Sequence, residues 1–185
     1  MKKVLVVTIT LSICVIILLT ISGCSFKEAN PTPIPDQTPV QIQSFISNPD
    51  QIILYKDSKP IQLDKGNKDY AEIVRLTNER FSNKISVVKD IVDNAYVNGL
   101  KKRKESLGLE FVYSQEQTMK IKGNDSASFK YNRLFFLLVD NVLSSAQPSI
   151  KTEFLQYGDL TNYKDSSRGP LASSKNLIDL VLKIQ

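Results

Sequence analysis

The 185-residue sequence predicts an α+β domain, mainly an antiparallel sheet packed against helices, from three observations. Short stretches alternate apolar and polar residues. Other stretches repeat apolar residues every three or four positions. One central run is apolar on both faces.

In chain order, Gln51–Tyr55 and Pro60–Leu63 flank Lys56-Asp57-Ser58-Lys59 and read as a β-hairpin. Tyr70, Ile73, Val74, Leu76 and Phe81 then fall largely on one helical face, and Ile85, Val88, Ile91, Val92, Ala95 and Tyr96 continue the spacing. Ser82-Asn83 interrupts the pattern and Asn98-Gly99 stops it, so two consecutive helices are expected. Leu107–Tyr113 and Thr118–Lys122 read as two strands joined by Ser114-Gln115-Glu116. Gly123–Ser126 is a turn, and Leu134–Val139 makes Lys130–Val139 a central strand covered on both sides. Ile150–Tyr157 is the next strand candidate, and Gly158–Pro170 reads as polar loop. Ser173 or Ser174 caps a last helix with the stripe Leu177, Leu180, Val181 and Ile184.

Ahead of this domain, Met1-Lys2-Lys3 precedes an uncharged run from Val4 to Ser22 whose apolar residues point all round a helix. The run ends Leu19-Thr20-Ile21-Ser22-Gly23-Cys24, which resembles the lipobox of bacterial lipoprotein signal peptides. The resemblance implies diacylglycerol on the Cys24 sulfur and cleavage between Gly23 and Cys24. The exported part resembles small cell-surface lipoproteins. The other reading of the run is an uncleaved span with Cys24 incidental, since it approaches the ~20 residues a membrane requires. Either way Lys2 and Lys3 favour a cytoplasmic N-terminus and an extracytoplasmic domain. The chain thus divides into a leader (1–23), a lipidated Cys24 with a proline-rich tether (24–48), and one domain (49–185). Along the tether, Val40, Ile42, Phe45 and Ile46 mark where it is expected to begin to meet the fold.

Without the leader the chain has 162 residues and a charge of +3, because Lys2 and Lys3 leave and all 19 acidic residues stay. That balance, with export, argues against a nucleic-acid partner. Cys14 leaves with the leader and Cys24 takes lipid, so stability rests on a hydrophobic core and not on disulfides. The absence of histidine excludes histidine-based triads and HExxH zinc sites; no cofactor or metal is expected.

Two groups of residues invite a binding role. Lys101-Lys102-Arg103-Lys104 would suit anionic headgroups or wall phosphate, or be a solvated basic loop after a helix end. Tyr157, Asp159, Tyr163, Asp165 and Arg168, with Ser166 and Ser167, would form a recognition loop or plain surface. Asp90 and Asp93 could share a cation, although a Lys89–Asp93 pair explains the second. Asn124-Asp125-Ser126 is read as a turn despite its glycosylation pattern.

The expected function is a membrane-anchored envelope lipoprotein acting as a non-enzymatic binding or protein-interaction module, for a protein, a polymer or a small ligand. The alternative is a carboxylate-based hydrolase of envelope material, which would need two convergent carboxylates in a cleft.

Overall fold

A computed structural model describes residues 44–89, 93–140 and 152–185. The leader, its cleavage site, Cys24, most of the tether, Asp90 and Ile150 lie outside the described residues.

The architecture is α+β. Seven antiparallel strands form one sheet: β1 (Gln51–Lys56), β2 (Lys59–Leu63), β3 (Ser86–Val88), β4 (Ser106–Met119), β5 (Phe129–Asp140), β6 (Leu155–Gly158) and β7 (Tyr163–Gly169), in the order β2-β1-β4-β5-β6-β7-β3. Among the described residues three helices accompany it: α1 (Tyr70–Asn78), α2 (Asn94–Lys101) and α3 (Lys175–Val181).

The expected hairpin is present as β1 and β2. Asp57 (φ 52°) and Ser58 (φ 62°) both turn through the left-handed region, the geometry that matches strand twist in a two-residue connection. Strand β5 is the middle of the seven, and its alternation feeds both faces of the sheet. Leu134, Phe136 and Leu138 point into the main core with Ile52, Leu54, Leu109 and Phe111, under Ile73 of α1 and Leu177 of α3. Phe135 and Leu137 point into a smaller cluster closed by Val97 and Leu100 of α2 and by Tyr163.

Three elements depart from the sequence reading. The second helix expected across residues 85–96 is divided. Ile85 is buried, Ser86–Val88 pairs with β7 as an edge strand, and α2 begins only at Asn94. β-branched residues suit that pairing. Asp93 is extended, and its carboxylate accepts from the Tyr96 N–H at 2.7 Å, so it starts a helix instead of lying on the face of one. Gly99 lies inside α2 and does not end it. The two strands expected at 107–122 are one 14-residue strand, β4, which absorbs residues 113–116 in a register shift against β5. Gly158–Pro170, expected as loop, contains β7. Its sequence, YKDSSRG, lacks apolar alternation, yet its backbone pairs on both sides with β6 and β3.

The packed unit begins ahead of Pro49. Asn78, at the end of α1, accepts through Oδ1 from the backbone N–H groups of Phe45 (2.9 Å) and Ile46 (3.0 Å), and Ile46 is only 2% exposed. The side chain that ends the helix also fastens the incoming chain.

Candidate functional site

The most elaborate polar cluster lies inside the smaller cluster, on the sheet face covered by α2. Glu110 projects there from the middle of β4 and is 3% exposed. Burying a carboxylate is costly unless it is paired and hydrogen-bonded, and Glu110 is both. Tyr55 donates to Oε2 at 2.7 Å, Tyr163 donates to Oε1, Lys101 Nζ lies 2.8 Å from Oε2, and Arg133 Nη1 lies 3.6 Å from Oε1. Lys101, the last residue of α2, also donates to the Tyr163 hydroxyl at 3.0 Å. Its ammonium lies within cation–π range of three rings: Tyr55 (5.1 Å), Phe135 (5.6 Å) and Tyr163 (4.8 Å). Gly108, two residues before Glu110, leaves room for Phe135: a Cβ there would come 2.8 Å from its ring.

Burial alone would raise the Glu110 pKa. The ion pair with Lys101 and the hydroxyls of Tyr163 and Tyr55 outweigh it, and the carboxyl is held below its ordinary 4.5. Burial pushes Lys101 down and Tyr163 well up. A carboxyl depressed on folding contributes stability that is complete above the unfolded value and lost as pH falls through the folded one. Urea midpoints should therefore be insensitive to Glu110 titration above about pH 5 and decline below 4.5. The Glu110→Gln variant should lack that part of the decline, and a parallel decline in both proteins would refute the assignment.

This arrangement redistributes the residues singled out in the sequence. The basic run does not act as one patch: Lys101 turns inward to Glu110, and Arg103 turns to Asp140 at 3.1 Å. Only Lys102 and Lys104 remain exposed, because the chain leaving α2 alternates inward and outward side chains. The proposed recognition loop is likewise divided, with two of its five residues interior. Tyr163 is 4% exposed and Arg168 is 5% exposed. The Arg168 guanidinium lies near the rings of Tyr157 (4.7 Å) and Phe129 (5.1 Å) and donates to the carbonyls of Ala127 and Ser167 and the hydroxyls of Ser166 and Tyr157. Asp159 organises the β6–β7 turn, accepting from the Thr161 and Asn162 N–H groups at 2.8 Å each. With Lys164 the largest influence and those N–H groups adding to it, Asp159 lies below the usual carboxylate range. Asp165 alone of the five is plainly exposed.

Asn124 serves its turn, accepting from Ser126 and donating to the Ile85 carbonyl. Ser174 stands at the start of α3 without a side-chain cap bond. Among the described residues no group of three or more Cys, Asp or Glu could hold a metal ion, and no helix is long and apolar enough to cross a membrane.

Nothing in the local sequence pattern singles out Glu110, Arg133 and Tyr55 as one site. A signal for Glu110 was present: it lies on the face of β4 opposite Leu109 and Phe111, and β5, its neighbour, is apolar on both faces. A charge on a strand beside a doubly buried one must itself be covered. Compared with known proteins, the chain matches no family model, no curated protein and no solved structure.

Proposed function

We propose that this chain is an envelope lipoprotein, held on the outer face of the cytoplasmic membrane by a diacylglyceryl group on Cys24, and that its α+β domain is a binding or protein-interaction module. The observation that carries this reading is the order of charge, apolar run and Ser22-Gly23-Cys24 at the start of the sequence. Twenty residue steps separate Cys24 from Ser44, a reach of roughly 60 Å at the polyproline rise, so the domain would stand well clear of the bilayer. Its partner would be an envelope protein, a wall polymer or a small ligand.

Two features favour a binder over the carboxylate-based hydrolase. Glycoside hydrolysis needs one carboxyl raised so that it can act as an acid. Asp50, Glu72, Glu110 and Asp159 are all shifted the other way by their hydrogen-bond and ion-pair partners. Among the described residues the two buried carboxylates, Glu110 and Asp140, are each tied to cations within the fold.

Growth with an alkyne-bearing fatty acid, followed by intact-mass measurement, tests the anchor. The wild-type protein should carry the label and begin at Cys24. The Cys24→Ser protein should be unlabelled and retain residues 1–23. An unlabelled wild-type chain that keeps its first 23 residues would overturn the proposal in favour of an uncleaved span.

A further inference from the structure

Away from the Glu110 cluster, Arg80 is a buried cation without a counter-charge among the described residues. It follows α1 and is 2% exposed. Nε donates to the Ala172 carbonyl at 3.2 Å and Nη2 to the Thr152 carbonyl at 2.6 Å, and the Phe136 ring centre lies 6.0 Å from the guanidinium. Nη1 has no hydrogen-bond partner among the described residues. None of the ion pairs among the described residues includes Arg80, and residues 141–151, which join β5 to Thr152, contain no Asp or Glu. Burial pushes the guanidinium pKa down to about 10. Two carbonyl dipoles and a ring face offset this charge less well than an anion does.

Arg80 lines a cavity of about 360 Å³ together with Leu138, Ala172, Ser174, Lys175 and Ile178. The volume is that of a small-molecule site. Its walls are divided in character: Leu138, Ala172 and Ile178 are apolar, whereas Arg80 and Lys175 are cationic. Ser174 is 9% exposed, and its hydroxyl makes no bond to the helix it precedes. Glu153 also borders the cavity, but it is exposed and forms no ion pair with Arg80.

We propose that this cavity binds a small ligand carrying a carboxylate or phosphate group on a short apolar body. The anionic group meets the Arg80 guanidinium, whose fork suits both oxyanions, and the apolar part lies against Leu138 and Ile178. Nη1 is enclosed, so binding includes a shift of the side chains around it, after which a ligand oxygen supplies its missing partner.

Thermal unfolding of the detergent-solubilised full chain, titrated with acetate, butyrate, hexanoate or inorganic phosphate, tests this against sodium chloride of equal ionic strength. A saturable rise in Tm is expected with at least one anion class and not with chloride. Within the carboxylates, affinity should grow roughly fourfold per added methylene. A response to phosphate alone assigns a phosphorylated ligand, and one that follows chain length assigns an acyl ligand. The Arg80→Gln variant should lose the response. Because Arg80 also holds two carbonyls, Ser173→Trp, at an exposed position, provides a second variant that obstructs the cavity and leaves the guanidinium in place. It should fold and lose the response. Chloride matching the other anions, or a saturable response that survives Ser173→Trp, would overturn the proposal. Neither outcome depends on the lipid at Cys24.

Discussion

Replacing Glu110 by alanine should destabilise the domain by about 3–5 kcal/mol, the cost of removing one partner from a buried ion pair. The Lys101 side chain is 10% exposed and would keep only ring faces and one hydroxyl as neighbours, with the Arg133 cation still beside it. Glu110→Gln should cost less, since an amide oxygen still accepts from Tyr55 or Tyr163. The informative variant is the double replacement, Glu110→Leu with Lys101→Met. It removes both charges, so its cost should fall well short of the summed single costs. Arg133, whose side chain is 22% exposed, retains access to water. Urea unfolding of the wild type, Glu110→Leu, Lys101→Met and the double variant gives the coupling directly. Strict additivity would mean that the pair, despite its 2.8 Å contact, contributes nothing as a pair.

Phe136→Ala should be comparably severe, about 3–5 kcal/mol, through lost burial and the cavity left behind. Phe136 is fully buried at the centre of the main core, with edge contacts to Phe111 (5.4 Å) and Phe81 (6.1 Å) and the Arg80 guanidinium above it. The walls of such a cavity belong to β4, to the chain after α1 and to Arg80, which cannot all close inward together. The urea midpoint should fall with an unchanged slope. A loss below about 1 kcal/mol would show that these elements yield more readily than their packing implies. Against a typical domain stability of about 5–15 kcal/mol, either substitution removes a substantial fraction.

How far the sequence discloses this molecule depends on where each element obtains its order. The β1–β2 hairpin, the central β5 and the stripe of α3 are written locally, in alternation, in a doubly apolar run and in helical spacing. Strand β7 is not. Its Ser167 is buried against Gln156, and its Arg168 against Tyr157 and Phe129, so the neighbours that make those polar residues interior come from other strands. Residues 85–96 mislead for a related reason: their apolar spacing suits a helix, but Ser86–Val88 has an open sheet edge to join. Composition marked Lys101 and Tyr163 as notable, on opposite sides of a 62-residue separation. That both serve one carboxylate is a property of the sheet order, which no local pattern encodes.

The clasp at Asn78 determines how the domain responds to mechanical load. A pull on the chain ahead of Ser44 is met first by the two Asn78 bonds to Phe45 and Ile46 and by the seated Ile46 side chain. Beyond them the load reaches the Ser47 and Pro49 carbonyls, held by the hydroxyls of Tyr113 and Tyr70, then Asp50, whose N–H bonds the Val112 carbonyl, and then β1, held between β2 and β4 over five residue pairs on each side. Tension directed along β1 shears those pairs together and does not peel them one by one. Under the proposed anchor at Cys24, drag on the domain would enter through this segment, with the Asn78 bonds as the first to give way.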